Sequence, residues 1–373
     1  MKLVYLSTAR VPDDWGHVIH IMHMCSSFAH AGAEVELVVP RRAATSDVDP
    51  FIHAGVEKNF TITKLPCIDL FAGSSSKWLF FLRTFTFLIA ARIYLTFRSY
   101  DTLYTRERFV ALFFQNFAYE VHSVSHTAGW IHRRLLSNAR SFIVLTHAIR
   151  DSFVLSGVSE SRIHVEPDAV DIAKFSGVQP VATLREQNGI AASAPLIGYV
   201  GTLKTLGMEK GVATAIESLL YIQDAVLCVV GGESKDIEEY RAQAQEHGVG
   251  SRVIFIGKVA HDLVPSYIAA FNIVVAPFPD LEHYRLYMSP LKIFEYMASG
   301  LPMIVSDLPT LREVLSDQTA RFVAPGDAKA LALAAQELLS DPVHAKEMAE
   351  RARMEVSKYT WDARAKRTLS FVR

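Results

Sequence analysis

Residues 287–313 read YMSPLKIFEYMASGLPMIVSDLPTLRE, and this stretch decides the predicted fold. Ser289 has a side chain suited to capping a helix and Pro290 suits the first helical position, while Gly300 is typical of a helix end. One helix of about three turns is therefore predicted. An apolar run at 303–305 and a further helical start extend the pattern to helix, strand, helix, which is typical of half of a doubly wound α/β sheet.

The predicted helix start is also a candidate anion site. Unpaired backbone N–H groups and a partial positive charge collect around Ser289, Pro290 and Leu291, with Lys292 one turn in, so a phosphate group can bind there. Glu295 follows on nearly the same face, where its carboxylate can accept hydrogen bonds from sugar hydroxyls. A surface helix with one Lys–Glu pair, worth only about 0.2–0.5 kcal/mol, explains the spacing equally well.

Length and composition indicate a two-domain soluble protein. The chain has 373 residues, which exceeds one ordinary core, and its formal net charge of −1 provides no field that selects nucleic acid. Its 3 cysteines lie far apart in apolar surroundings, which favours reduced thiols in the cytoplasm over disulfides or a metal cluster. No apolar run approaches the ~20 residues of a membrane-spanning helix, and the N-terminus resembles a first β-strand more than a signal peptide.

The opening of the chain has the order strand, loop, helix, strand of a βαβ unit. Ligands of such units are expected at the carboxyl ends of the strands, here in the loop 12–17, where Gly16 lets backbone approach a substrate. A plain turn glycine is an equally good interpretation. His17, His20 and His23 are spaced by three like a metal-binding stripe, but no carboxylate joins them in sequence, so no metal site is expected.

Residues 76–98 are predicted to form a basic, strongly apolar helix. Its only charges are Lys77, Arg83, Arg92 and Arg98, set among aromatic and aliphatic residues. Such a helix can lie on an anionic membrane surface, or it can pack against the N-terminal sheet with its arginines at the edge; the sequence favours the second arrangement. A peripheral enzyme can use both faces.

The run AYEVHS places Glu120 and His122 at the end of another short strand. A histidine at the carboxyl end of a strand in an open α/β sheet lies where substrate contact is expected, because the crevice is there. A hydrogen-bonded loop histidine is the alternative, and the residues by themselves favour it.

Composition loosens after Phe175, and a second series of strands and helices follows, so a domain boundary is predicted there. The loop GTLKTLGMEKG at 201–211 is a second candidate anion site. Its glycines permit close backbone approach, and Lys204 and Lys210 can bring ammonium groups to phosphate oxygens. The loop lacks the GxxxxGK[ST] pattern, and a flexible surface loop with solvated lysines is the alternative.

Together these motifs resemble the nucleotide-sugar-dependent glycosyltransferases of the GT-B class, specifically family 4, over nearly the whole chain. The resemblance rests on the opening YLSTARVPDDWGHVIHIMHMCSSFAHAGAEVELV, on YEVH, on VEPDAVDIAKF, on VGTLKTLGMEKG and above all on SPLKIFEYMASGLPMIVSD. It implies an α/β fold of two Rossmann-like domains facing across a cleft: residues 1–175 for the acceptor and 176–357 for the donor. A last helix at about 358–373, containing YTWDARAKRTL, would return to the first domain.

The resemblance also implies roles for individual residues. Lys210 resembles the lysine that binds the donor diphosphate, and Glu295 resembles the glutamate that holds the nucleotide ribose. Gly16 resembles part of a glycine loop facing the donor. His122 resembles the histidine near the transferred sugar, and with Lys210 and Glu295 it completes the expected catalytic set. The remaining expected donor-binding positions are Gly201, Thr202, Lys204, Tyr287, Ser289, Pro290, Leu291 and Lys292.

Two positions depart from the family pattern. The family usually has a glutamate where this chain has Tyr287, and it often has an arginine where this chain has Thr202 after Gly201. The first departure bears on sugar recognition, and the second can be offset by Lys204 or Lys292.

The implied reaction is transfer of a sugar from a nucleoside diphosphate sugar to a hydroxyl of a glycan, lipid-linked or small-molecule acceptor. The resemblance also implies that the anomeric configuration is retained and that the reaction belongs to polysaccharide biosynthesis. It implies no metal ion and no cofactor, the nucleoside diphosphate sugar being the donor substrate. The expected location is cytoplasmic, with possible peripheral contact at the inner face of a membrane through residues 76–98. The alternatives are a non-catalytic nucleotide-sugar-binding protein that serves a partner enzyme, and an epimerase with paired Rossmann domains, which SPLKIFEYMASG does not fit.

Overall fold

The computed structural model describes residues 1–13, 16–41, 48–69, 77–122, 129–205 and 207–373. The chain divides into two compact units. The first comprises Met1–Pro167 together with Trp361–Arg373, and the second comprises Asp168–Thr360. The division falls after Pro167, whereas the sequence places a boundary after Phe175. The C-terminal segment groups with the first unit, where the helix Trp361–Val372 contacts the helix Gly16–His30.

A parallel sheet forms the centre of the first unit. Its strands are Lys2–Leu6 (β1), Glu34–Arg41 (β2), Thr61–Pro66 (β3), Thr102–Thr105 (β4), Phe117–Val121 (β5), Ala139–Val144 (β6) and Ile163–Val165 (β7). Their order in the sheet is β3-β2-β1-β4-β5-β6-β7, and every pairing is parallel. β1 beyond Lys2 and the whole of β5 are buried, because helices cover both faces of such a sheet, and Glu120 is their one charged buried residue.

The helices of the first unit are Gly16–His30 (α1), Pro50–Ala54 (α2), Lys77–Thr96 (α3), Trp130–Asn138 (α4) and His147–Leu155 (α5). α1 is the central one: nearly all of its side chains beyond the first turn are buried, because it lies between the sheet and the C-terminal helix.

A second parallel sheet forms the centre of the second unit. Its strands are Leu196–Val200 (β8), Val226–Val230 (β11), Val253–Gly257 (β12), Ile273–Ala276 (β13), Met303–Ser306 (β14) and Arg321–Val323 (β15), and a small antiparallel hairpin consists of Lys204–Thr205 (β9) and Met208–Glu209 (β10). The order β12-β11-β8-β13-β14-β15 is the Rossmann order, which reverses between β8 and β13. Ligands are therefore expected beyond the carboxyl ends of β8 and β13.

The helices of the second unit are Leu184–Gln187 (α6), Val212–Ser218 (α7), Ser234–Glu246 (α8), Val264–Ile268 (α9), Glu282–Leu286 (α10), Leu291–Ser299 (α11), Pro309–Arg312 (α12), Ala328–Ser340 (α13) and Pro342–Glu355 (α14). The last helix of the chain, Trp361–Val372 (α15), belongs to the first unit.

Helix α11 departs from the sequence prediction at its start. Its N-cap is Pro290, in an extended conformation, so Ser289 lies one residue too early to cap the first turn. The Ser289 hydroxyl instead accepts a 2.8 Å hydrogen bond from the backbone N–H of Asp168. The predicted end is confirmed, since Gly300 is the C-cap with φ of 69°. The helix start therefore has no side-chain cap.

Helix α3 corrects a second expectation from sequence. The stretch Trp78–Thr96 is long and apolar enough to cross a membrane by length and composition, with a mean hydropathy of 1.5. Arg83 and Arg92 interrupt the uncharged run, so a search for uncharged runs of about 20 residues does not find this helix. The mean hydropathy of the stretch nevertheless stays high. The stretch is 28% buried, so one face packs on the first unit and the other is exposed.

Candidate functional site

The first feature of the site is a glycine that follows β8. Gly201 has φ of +127°, a conformation that L side chains rarely adopt. A Cβ atom added there would lie 3.3 Å from Cε of Lys292. Gly201 thus lets the lysine of α11 lie directly over the end of β8, at the reversal of strand order.

Lys292 is a buried lysine whose amino group faces two aromatic rings. The residue is only 7% exposed, and its Nζ lies 3.7 Å from the ring centroid of Tyr199 and 5.3 Å from that of Phe278. Within the described residues Nζ has no hydrogen-bond partner. Burial, followed by the charge of Lys210, holds its pKa well below the usual range, although Glu295 opposes this effect. An anionic ligand would restore the missing hydrogen bonds and counter-charge.

Lys210 brings a second ammonium group to the same end of the sheet. Its Nζ donates a 2.8 Å hydrogen bond to the hydroxyl of Thr202, the residue that replaces the usual arginine. Burial lowers the pKa of Lys210 to about 8. Its charge is one cause of the lowered pKa of Lys292. Two neighbouring lysines that both bear this electrostatic cost are typical of a polyanion site.

The two helix starts near these lysines differ. The Glu209 carboxylate accepts a 2.7 Å hydrogen bond from the backbone N–H of Gly211, the N-cap of α7. The start of α7 is therefore already supplied with a negative charge, whereas α11 begins without a side-chain cap. Glu209 is not among the residues predicted from the sequence; the available signal was an acidic residue two positions before the N-cap, Gly211.

Glu295 lies on α11 beyond Lys292. Burial raises the pKa of its carboxyl group to about 7, although Lys292 and Lys174 act to lower it. His261 Nε2 lies 3.8 Å from its Oε1. A carboxyl group with a pKa near neutrality can both donate to and accept from a pair of sugar hydroxyls.

Three further predicted donor residues make protein contacts. Lys204 Nζ lies 2.5 Å from Glu239 and 3.8 Å from Asp236, so two carboxylates of α8 already balance its charge. The Tyr287 hydroxyl donates a 3.1 Å hydrogen bond to Glu282. Ser289 is engaged by the backbone of Asp168, as described above. The structure thus groups Gly201, Thr202, Lys210 and Lys292, while Lys204 points to a different set of charges.

The remaining predicted residues belong to the first unit. Gly16 is the exposed first residue of α1. His122 directly follows β5, and its Nε2 lies 2.9 Å from Oε1 of Glu120. Burial, followed by the charge of Arg106, lowers the pKa of His122 to about 4, so the ring is neutral at physiological pH.

Two histidines lie close to the carboxylate of Glu120, an arrangement that could in principle bind a metal ion. Ligand atoms of His20, Glu120 and His122 lie within 4.8 Å of one another. However, Nη2 of Arg364 lies 2.7 Å from Oε1 of Glu120, and this guanidinium is fully buried. A divalent cation beside a buried guanidinium, with one carboxylate to share, would be strongly repelled. The group is an ion-pair network. The three regularly spaced histidines do not form one site, because the ring of His23 stacks on Trp361.

Comparison with known proteins agrees with this architecture. Residues 194–341, within the second unit, match the family described as Glycosyl transferases group 1. The D-inositol 3-phosphate glycosyltransferase of Xylanimonas cellulosilytica is 25% identical over an alignment of 386 positions, gaps included. The alignment covers 95% of this chain and 90% of that protein. For several other relatives, the match spans about half of their length.

Solved structures share the fold over the whole chain. Sucrose-phosphate synthase from Thermosynechococcus elongatus superposes with a TM-score of 0.77 at 22% identity, covering 99% of this chain and 97% of that one. Anabaena Alr3699/HepE in complex with UDP-glucose superposes with a TM-score of 0.72 at 17% identity, covering 99% of both chains. With two Rossmann-type sheets and these structural relatives, the chain has the GT-B fold of glycosyltransferases, and residues 194–341 of its second unit match the Glycosyl transferases group 1 family.

Proposed function

We propose that this enzyme transfers a glycosyl group from a nucleoside diphosphate sugar to an acceptor hydroxyl, as a retaining, metal-independent member of family 4. The observation that carries the donor assignment is Lys292, a buried ammonium group without a hydrogen-bond partner in the described chain, beside Lys210 and an uncapped helix start. Retention and family 4 follow from the sequence motifs, above all from SPLKIFEYMASG.

The lysines account for the catalytic part of the proposal. The leaving diphosphate gains negative charge as the glycosidic bond breaks, so donors that point at it stabilise the transition state more than the ground state. Lys210, Lys292 and the first amides of α11 would supply these donors. Hydrogen bonds to charged groups contribute about 1.5–3 kcal/mol each, so either lysine matters more than a neutral donor.

Glu295 and His122 take the sugar-directed roles. Glu295 would hold the ribose hydroxyls one turn of helix beyond Lys292. His122, neutral and at the end of β5, would accept a hydrogen bond from a hydroxyl of the transferred sugar. No step of this scheme requires a metal ion, because the two lysines and the helix start supply the positive charge.

The first test is a thermal-shift screen against UDP, GDP, ADP and their sugars, beginning with UDP-glucose because a structural relative binds it. A ligand present at 100 times its dissociation constant stabilises a protein by about 2.7 kcal/mol. Wild type is expected to respond to one base, and Lys292→Met to lose this response while its unliganded melting temperature is retained. An unchanged response in Lys292→Met would remove the donor-site assignment.

A non-catalytic nucleotide-sugar-binding protein is the second candidate. Tyr287 and Thr202, the two departures from the family pattern, favour it. Thr202 nevertheless holds Lys210, which gives it a role in an active donor site. Release of nucleoside diphosphate from the donor that binds best separates the candidates, because a binding protein would shift in melting temperature without turnover.

For the acceptor, we propose a lipid-linked or membrane-proximal glycan at the cytoplasmic face. α3 exposes several large apolar side chains: Trp78, Phe80, Phe81, Ile89 and Ile93, and Phe97 follows directly after the helix. Ile93 and Phe97 also line a groove of about 1110 Å³ with Phe60 and Arg98. Such an apolar face exceeds what an ordinary surface helix exposes.

The arginines near this face give it charge complementarity to anionic lipid. Arg92 and Arg98 lie over the rings of Phe114 and Tyr94, and in the described chain neither is paired with a carboxylate, whereas Arg83 lies 3.4 Å from Asp69. Wild type is expected to sediment with vesicles that contain phosphatidylglycerol, and Arg92→Glu/Arg98→Glu to remain in solution. Arg351→Glu, an exposed change in the second unit, serves as the control. Equal sedimentation of all three would leave a soluble acceptor as the better proposal.

A further inference from the structure

The carboxylate of Glu120 is fully buried, and it lies between the candidate sugar-contacting histidine and the C-terminal helix. Its Oε1 lies 2.9 Å from Nε2 of His122, 2.9 Å from Nε2 of His20 and 2.7 Å from Nη2 of Arg364. Its Oε2 accepts a 2.9 Å hydrogen bond from the hydroxyl of Tyr104. A single side chain therefore links α1, β4, the end of β5 and α15.

The charge of Glu120 fixes the proton on His122. Burial acts to raise the pKa of Glu120, but Arg364 and the two imidazoles hold this pKa well below its usual range. The lowered pKa of His122 keeps the ring neutral. Because an ionised carboxylate only accepts hydrogen bonds, the neutral ring donates its Nε2–H to Glu120 and keeps Nδ1 as an acceptor.

We propose that Glu120 is a positioning residue for glycosyl transfer: it orients the His122 ring and reserves Nδ1 for a hydroxyl of the transferred sugar. This inference rests on the proposed function, in which His122 contacts that sugar. The side chain of His122 is 21% exposed and that of Glu120 is 0% exposed, so a substrate can reach the ring but not the carboxylate. Glu120 acts through His122.

Arg364 completes the arrangement from α15. Its Nε donates a 2.8 Å hydrogen bond to the carbonyl of Pro167, which fixes the guanidinium in place. The guanidinium in turn keeps Glu120 charged, so that the carboxylate accepts from His122 and never donates to it. The C-terminal helix thereby takes part in setting the tautomer of His122.

A second carboxylate, Glu166, provides a control for the role of Glu120. It distinguishes positioning of His122 from anchoring of α15. Glu166 receives Arg367 of the same helix at 2.6 Å, and its other oxygen lies 3.1 Å from Nε2 of His164. This group repeats the carboxylate, arginine and histidine of the Glu120 cluster without touching His122. Loss of Glu166 removes an anchor of α15 and leaves the His122 tautomer unchanged.

The activity test compares Glu120→Gln with Glu166→Gln, using release of UDP from UDP-glucose as the readout. Glu120→Gln is expected to lower kcat by about ten- to a hundredfold, the effect typical of losing a partner that orients a reactive histidine, with little change in UDP affinity. Glu166→Gln is expected to keep kcat. In a His122→Asn background, Glu120→Gln is expected to cause no further loss. An equal additional loss in that background would show a structural role and overturn the proposal.

The single variant leaves Arg364 buried without its carboxylate, so Glu120→Gln/Arg364→Met, which removes both charges, is measured alongside it. The proposal fails if this double variant unfolds like wild type and retains full kcat.

Independently of any donor, ¹⁵N NMR of the histidine rings reports the tautomer directly. We expect the Nε2–H form for His122 in wild type and a mixture in the double variant; an Nδ1–H form in wild type would refute the inference. Failure of UDP-glucose to bind or turn over, with the Nε2–H form present, would instead count against the proposed function.

Discussion

At the residue scale, the second unit concentrates its chemistry in two lysines that are charged at an electrostatic cost. Burial lowers the pKa of Lys210 to about 8 and that of Lys292 well below its usual range. A bound diphosphate would offset this cost by supplying counter-charge and acceptors. Burial therefore destabilises the protonated lysines in the empty site and, for the same reason, favours binding of an anion.

Donor binding is expected to weaken as the pH rises through about 8. The folded pKa of Lys210 is depressed, so its proton is lost from the free site near pH 8, whereas the unfolded chain keeps it until about pH 10.4. If only the protonated lysine binds diphosphate, UDP affinity should fall by about tenfold between pH 7 and 9. Calorimetric titration at both pH values measures this, after correction for the titration of UDP itself.

Lys210→Met is the control for that titration. It should bind UDP at least about tenfold more weakly at pH 7, because one charge-assisted hydrogen bond is lost, and its affinity should change less with pH. A pH dependence that persists in full in Lys210→Met would assign the titrating proton to another group.

At the element scale, the close approach of α7 to the end of β13 is what places Lys210 beside the end of the sheet. Gly211, the N-cap of α7, has φ of +88°, and a Cβ atom there would lie 1.8 Å from the carbonyl oxygen of Pro277. Backbone atoms cannot yield as a flexible side chain does. The position therefore requires glycine for space as well as for conformation.

Gly211→Ala is expected to destabilise the protein by more than about 3 kcal/mol, since left-handed strain and overpacking each cost on the order of 1–3 kcal/mol. Gly207→Ala is the matched control: it shares a positive φ of +77°, but no atom of the described residues outside its chain neighbours lies within 4 Å of the added carbon. Its cost should stay near 1–2 kcal/mol, from strain alone. Urea unfolding midpoints compare the two, and equal shifts would contradict the steric argument.

At the scale of the whole molecule, the C-terminal helix is joined to the first unit by two ion pairs of different burial. Arg364 and Glu120 are both 0% exposed, whereas Arg367, which pairs with Glu166, is 41% exposed. Glu166, however, is only 2% exposed, so the second pair is half-buried and water screens it from the side of Arg367 alone. Removing one partner of a fully buried pair leaves an uncompensated charge with no access to water.

Arg364→Met is therefore expected to cost about 3–5 kcal/mol of unfolding free energy, and Arg367→Met a smaller amount, about 1–3 kcal/mol, because water can reach Glu166 once the arginine is removed. Denaturant unfolding monitored by circular dichroism measures the free energy of unfolding of both variants. Similar costs for both substitutions would mean that the burial of Arg364 contributes nothing beyond its packing.

The sequence by itself determined the fold class, the αβ rhythm of both halves and the stop of α11 at Gly300, because apolar periodicity and the conformational freedom of glycine are local properties. Its family resemblance also pointed to Lys210 and Glu295, with His122, as the catalytic set and to Lys292 as a donor-binding residue, and these assignments stay predictions. It misassigned the cap at Ser289 because the competing partner, the amide of Asp168, lies far away along the chain. It likewise could not foresee that Lys204 pairs with Glu239, that Glu209 caps α7, or that Arg364 meets Glu120. These contacts join distant segments, and their strength depends on burial, which only the tertiary structure decides.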